Sequence, residues 1–313
     1  MKILIVSGFL GAGKTTFIKE MAKRTKRDFV VMENEYGEIG IDGDLLNEDK
    51  KMDIWEMTEG CICCSMKSDF ASSILTIANT LDPEYLVVEP TGVGILSNVI
   101  TNIRQIEYER ISILSPITIV DENCFAHYMQ TYPDILEDQI KAAGKIVISK
   151  HHFSSLEETD AFAKHLHKIN PDACVYTDHY TTFDAQWWEE LLTTNLDGTH
   201  LTPCTSETLD LENFGLGKIA LPGPNHLIWF LEHLVRGEYG NICRAKGVVR
   251  TGNETESMRF DVVDTRYSIT GFSGQESPKA IFIGKHLARN KLRKLLLPGF
   301  SIRRGPKLES ADS

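Results

Sequence analysis

The chain has 313 residues, 42% of them apolar and 25% charged, which is ample for a full core and for two domains of a globular protein. A formal net charge of −11 argues against a general nucleic-acid binder. The longest apolar runs are of strand length, so neither a membrane-spanning helix nor a membrane partner is expected.

The first strand is predicted at Ile3-Leu4-Ile5-Val6, directly after Met1-Lys2, so no signal peptide is expected. It runs into Gly8-Phe9-Leu10-Gly11-Ala12-Gly13-Lys14-Thr15-Thr16, and helical spacing follows from Phe17 to Lys23. Strand, glycine-rich turn and helix, in that order, is the context in which G-x-x-x-x-G-K-[ST] holds phosphate. Gly8, Gly11 and Gly13 permit backbone angles and close approaches that a side chain would block. The N–H groups of the turn and the positive end of the helix then face a polyphosphate. Lys14 is expected on the β- and γ-phosphates and the Thr15 hydroxyl on Mg²⁺, with Ala12 and Thr16 completing the cradle. A nucleotide-binding protein is the reading; a glycine-rich turn without a ligand is the plainer alternative.

Phe29-Val30-Val31-Met32 has the continuous apolar character of a buried parallel strand. The segment from Glu33 to Gly43, with Glu38 and Asp42, is too polar for core and reads as a loop beside the phosphates or as a solvated acidic loop. Ile54 to Met57 is a short strand, and helical spacing resumes from Phe70 to Ala78. Tyr85-Leu86-Val87-Val88 is a strand ending in Glu89-Pro90-Thr91-Gly92, where a carboxylate helps to bind Mg²⁺. Strands at Ile117–Val120 and Lys145–Ile148 end at Asp121 and at Ser149-Lys150. Strands alternating with helical segments predict an α/β fold: a doubly wound, mostly parallel sheet covered on both faces. Ligands of such sheets sit beyond the carboxyl ends of the strands. Gly8, Glu33, Glu89 and Lys150 all fall just there.

Helix, strand and helix are expected between Asp160 and Leu192, with the strand at Cys174–Tyr176, after which periodicity fades. The division expected is a nucleotide-binding domain over 1–200, a linker over 201–224 and a smaller α+β domain over 225–313. The last would hold an amphipathic helix from Asn225 to Val235 and strands at Ala245–Arg250, Met258–Val263, Tyr267–Thr270 and Ala280–Ile283. A basic helix from Lys285 to Leu297 would close it.

Seven cysteines, an odd number with three in Cys61-Ile62-Cys63-Cys64, do not make a disulfide framework and suit a reducing cytoplasm. Three thiolates on a turn begun by Gly60 can converge on one borderline cation such as Zn²⁺, with water, a carboxylate or a partner as fourth ligand. An incomplete ligand set suits a site that must release its metal. Buried structural cysteines and a redox-active pair are the competing readings.

Gly8–Thr16, Glu33-Asn34-Glu35-Tyr36-Gly37-Glu38, Gly60-Cys61-Ile62-Cys63-Cys64 and Glu89-Pro90-Thr91-Gly92 together resemble the CobW-like, metal-handling P-loop GTPases related to UreG and HypB. Asp121, Gln139 and Ser149-Lys150 match more weakly, and Arg244-Ala245-Lys246-Gly247 with Ile281-Phe282-Ile283-Gly284 looks like the family's second domain. The resemblance implies GTP hydrolysis coupled to delivery of a zinc- or cobalt-class metal to a client metalloprotein or cofactor-assembly protein. Cys61, Cys63 and Cys64 would hold the cargo, and Glu33 and Glu38 match auxiliary metal or switch positions. Lys14 and Glu89 would serve the reaction, with Glu38 or Asp42 positioning the water; a homodimer stays open.

The chain departs from the family at the base-reading motif, where Asn-Lys-x-Asp is replaced by Ser149-Lys150-His151-His152. A histidine cannot accept two hydrogen bonds from the guanine edge as an aspartate does, so ATP stays open beside GTP. It also lacks a histidine-rich tract between the domains. Two rivals of other classes are a nucleotide-responsive scaffold for a corrinoid or metalloprotein and a small-molecule kinase.

Overall fold

The computed structural model describes residues 1–34, 52–57, 67–150, 155–196, 211–252, 257–272 and 277–297. The chain divides into two compact units, Met1–Asp210 and Leu211–Ser313. In the first, eight strands form one sheet: β1 (Lys2–Ser7), β2 (Phe29–Asn34), β3 (Met52–Met57), β4 (Tyr85–Glu89), β5 (Ser112–Ile113), β6 (Ile117–Asp121), β7 (Lys145–Ser149) and β8 (Cys174–Tyr176). Their order is β3-β2-β4-β1-β6-β7-β8, with β5 against β1, and every pairing among them is parallel. Among the described residues the unit's helices are α1 (Lys14–Thr25), α2 (Lys67–Thr80), α3 (Leu96–Arg104), α4 (Glu122–Thr131), α5 (Pro133–Lys141), α6 (Leu156–Ile169) and α7 (Ala185–Thr193).

Because successive strand residues point to opposite faces, β1 serves two cores at once. Leu4 and Val6 join α1 and α7 through Phe17, Met21, Trp188 and Leu191. Ile3 and Ile5 join α2 and α3 through Ile74, Ile77, Val99 and Ile100. In the sheet β1 lies between β4 and β6; the connection leaving β1 runs toward β2 and the one leaving β4 runs toward β6, and these opposite directions open a crevice at the carboxyl ends of β1 and β4. The doubly wound parallel sheet expected from the sequence is thus the fold of this unit.

The second unit is a six-stranded sheet backed by two helices. The strands are β9 (Glu212–Gly217), β10 (Ala220–Leu221), β11 (Asn241–Thr251), β12 (Ser257–Val263), β13 (Arg266–Phe272) and β14 (Lys279–Lys285). They run in the order β13-β12-β11-β14-β9, antiparallel throughout, and β10 pairs β11 in parallel. Helices α8 (Pro224–Val235) and α9 (Arg289–Leu296) bury Leu227, Phe230, Leu231, Leu234, Leu292 and Leu296 against Ala245, Phe260 and Phe282. The strands β9 and β10 fall in the stretch read as linker. Its glycines and asparagine hide the alternation by which Phe214 and Leu216 face the core. The last helix is shorter than expected, because Lys285 still belongs to β14. No helix among the described residues is long and apolar enough to cross a membrane.

Phe17 ties α1 to α7: fully buried, it lies edge-on to Tyr180 at 5.3 Å and to Trp187 at 6.3 Å, and tilted against Trp188 at 5.3 Å. Phe17→Ala is expected to cost about 3–5 kcal/mol in urea denaturation, since the rings around it cannot close the void. A cost below about 1 kcal/mol would mean that α1 is not held by this contact.

Candidate functional site

The turn after β1 is shaped by its glycines. Gly8 has φ +142°, and a Cβ there would run into the Ile119 carbonyl of β6, so the first glycine is fixed by a close backbone approach. Gly13 has φ +105° and nothing stands within 4 Å of where its Cβ would be. Gly13 also precedes α1 without offering a side-chain cap, which leaves the helix N-terminus open toward that space. This is the arrangement an anion needs: N–H groups, a helix dipole and room. Phe9 anchors the turn by packing on Tyr128 at 4.3 Å and Tyr132 at 5.4 Å.

Lys14 is buried; its ammonium donates to the Gly8 carbonyl at 3.1 Å and stands 3.9 Å from Glu89 Oε1. The Thr15 hydroxyl lies 3.1 and 3.2 Å from the two Glu89 carboxylate oxygens. A hydroxyl and a carboxylate side by side at a phosphate turn are hard oxygen donors, and they fit Mg²⁺. Ala12 is buried and Thr16 exposed. Glu33, also buried, stands opposite Glu89 in the β2–β4 register, and Glu56 of β3 stands opposite Glu33. Glutamates therefore occupy adjacent register positions at the carboxyl ends of three neighbouring strands.

On the other side of β1, Ser149 and Lys150 hold the phosphate turn by its carbonyls. Ser149 Oγ donates to Ala12 O at 2.8 Å and to Val120 O at 3.2 Å, and the Lys150 ammonium donates to Gly11 O. Asp121 pairs with Lys150 at 3.1 Å and caps α4 through the Asn123 N–H at 3.0 Å. Lys150 itself has φ +59°, and Asn123 Nδ2 donates to its carbonyl. Gly8 to Thr16, Glu33, Glu89, Ser149 and Lys150 are thus brought to one edge of one sheet. Glu38, Asp42, Cys61, Cys63 and Cys64 lie outside the described residues, as do His151 and His152.

Two neighbours on α5 complete the surroundings of the site: Gln139, a weaker match to the family in the sequence, and Asp138, which no motif singled out. Gln139 Nε2 donates to Gly92 O at 3.1 Å and to Gly94 O at 3.0 Å, so it grips the segment that follows Glu89. Asp138 accepts from the Ser97 N–H at 3.0 Å and pairs with the Ser97 hydroxyl, capping α3 from outside that helix. Burial pushes the Asp138 carboxyl above its usual range, and the hydrogen bonds from Ser97 and Leu96 offset only part of this. A carboxyl raised on folding favours the protonated folded state, so its contribution to stability is full below the unfolded pKa and fades as pH rises through the folded value. Asp138→Asn keeps an acceptor for Ser97 without the charge. The variant is expected to equal or exceed the wild type in urea midpoint at pH 7.5, the margin shrinking at pH 4.5. A margin that grows on acidification would contradict this placement.

Residues 2–177 match the CobW/HypB/UreG nucleotide-binding domain, and residues 223–298 match the C-terminal domain of the cobalamin synthesis protein CobW. The chain is 26% identical to the zinc chaperone YjiA of Escherichia coli K12 over 314 residues, 93% of this chain and 96% of that protein. It is 29% identical to the zinc chaperone CobW of a Sinorhizobium species over 180 residues, 47% of this chain and about half, 49%, of that relative. It is 23% identical to the zinc-regulated GTPase metalloprotein activator 1 of Dictyostelium discoideum, over 55% of this chain and 44% of that protein. Among solved structures, Zn(II)-bound YjiA from E. coli shares 19% identity at a TM-score of 0.45, covering 94% of this chain and 97% of that one. On the two domain matches and the phosphate cradle together, the chain belongs to the CobW/HypB/UreG family of P-loop GTPases.

Proposed function

We propose that this protein binds and hydrolyses GTP in order to load a zinc- or cobalt-class metal ion onto a client metalloprotein or cofactor-assembly protein. The observation that carries the reading is the contact of Thr15 with Glu89 at the open N-terminus of α1. The glycine turn would bind the polyphosphate through its N–H groups, and Lys14 would stabilise the transferring γ-phosphoryl. Thr15 and Glu89 would hold Mg²⁺, which supplies neutralising charge on the phosphate oxygens when bound. We assign water positioning to Glu38 or Asp42 and the base contact to the stem of Lys150, with Ser149 and Asp121 steadying that loop. His152, where the family motif has an acid, makes ATP the competitor to test against GTP.

The metal is cargo in this reading, held by Cys61, Cys63 and Cys64, with Glu33 beside the path from Glu89. Support comes from the three-thiolate spacing and from the names of the zinc-chaperone relatives. A reducing cytoplasm suits such a thiolate site.

Two variants separate the halves of the reading, using untagged protein prepared without chelators. Lys14→Ala is expected to lower steady-state GTP turnover by about 100-fold or more while bound zinc is retained. Serine at all three clustered cysteines is expected to abolish stoichiometric zinc binding with nucleotide affinity unchanged. Turnover that survives Lys14→Ala, or zinc that stays bound after loss of the three thiols, contradicts the corresponding half. ATP competing as well as GTP would replace the base assignment.

A further inference from the structure

The segment Pro90–Ile95, between β4 and α3, is pinned at three places. Glu89, where it begins, meets Thr15. Gly92 lies on the phosphate turn itself: a Cβ there would stand 2.6 Å from Leu10 N and 2.8 Å from Leu10 Cα. The Gly92 and Gly94 carbonyls are both held by Gln139 Nε2. Gln139 is 2% exposed, and its backbone carbonyl accepts from Thr118 Oγ1 of β6 at 2.8 Å. Thr118 stands opposite Ser7 of β1, immediately before the phosphate turn. Next to Gln139, Asp138 caps the first turn of α3, whose own N-cap Ile95 supplies no side-chain hydrogen bond.

A glutamine that only filled the core could spend its amide protons anywhere. Here both go to two carbonyls of one short segment, and the segment begins at the carboxylate beside Thr15. We propose that Gln139, braced by Asp138, is a positioning residue that locks Pro90–Ile95 on the phosphate turn and thereby sets the Glu89 carboxylate for Mg²⁺. The proposal rests on the nucleotide reading above. It extends it by placing the control of metal-ion engagement on α5, a helix that carries none of the residues assigned to phosphate or Mg²⁺. The same helix leads through β7 to Ser149 and Lys150, which grip the Ala12 and Gly11 carbonyls. One α–β unit therefore holds the phosphate turn from both flanks.

The test is a two-by-two cycle on the full-length chain: wild type, Gln139→Leu, Glu89→Gln and the double variant. The readout is the Mg²⁺ concentration giving half-maximal binding of a fluorescent non-hydrolysable GTP analogue, beside GDP affinity without Mg²⁺. Gln139→Leu is expected to raise the Mg²⁺ half-saturation about fivefold or more and to leave Mg²⁺-free GDP affinity within about twofold. In the Glu89→Gln background the same substitution is expected to change the half-saturation less than about twofold, because its effect runs through that carboxylate. An unchanged half-saturation, or the same fold-change in both backgrounds, overturns the proposal. Gln139→Glu, which keeps the volume but removes the amide donors, repeats the measurement should the leucine variant not fold. Wild-type protein that binds the analogue with no response to Mg²⁺ would sink the nucleotide reading itself. Normal wild-type behaviour with a silent Gln139 sinks only this inference.

Discussion

Helix α1 follows Gly13, which has no side chain to cap it, and that uncapped positive end governs what stands around it. The first backbone N–H groups of a helix need partners, and Gly13, with nothing within 4 Å of where its Cβ would be, offers them no side-chain cap. The surrounding residues hold the turn by its carbonyls, and the Ala12 N–H closes it onto Phe9 O at 3.1 Å. Lys14 takes Gly8 O, Lys150 takes Gly11 O and Ser149 takes Ala12 O. Cations and a hydroxyl on the acceptors, beside an uncapped helix start, is the polarity a polyphosphate site requires.

From that point the chain reaches outward one strand at a time. Glu89 on β4 meets Thr15, Glu33 on β2 is its register neighbour, and Glu56 on β3 is next. β3 ends at Met57, and the cysteine segment is the stretch of sequence joining Met57 to Lys67 at the start of α2. Covalent continuity thus links the proposed cargo ligands to the edge strand of the sheet whose centre carries the phosphate turn.

Much of the fold was legible because its signals are local. A phosphate turn follows a strand, and apolar runs such as Leu86-Val87-Val88 and Ile146-Val147-Ile148 mark strands buried on both faces. The helices α3, α4 and α5 went unassigned. In α3, β-branched Val99, Ile100 and Thr101 weaken helix propensity, and the helix is completed by a cap on a different element, Asp138. Edge strand β9 was hidden by Gly215 and Gly217, since its pairing with β14 is decided by tertiary contact. In the site, Lys14, Thr15 and Glu89 could be named from spacing. The double grip of Gln139 on Gly92 and Gly94 could not, because nothing within either segment specifies a partner 45 or 47 residues away.

The central claim is that the state of the nucleotide alters how tightly the three thiolates hold their metal. The most direct measurement is zinc affinity, by competition with a chromophoric chelator, on one protein sample loaded in turn with GDP and with a non-hydrolysable GTP analogue. A difference of about fivefold or more between the two states is the expected result, corresponding to a coupling free energy of about 1 kcal/mol. Equal zinc affinity in both states, and without nucleotide, would leave a phosphate site and a cysteine site that merely share a chain.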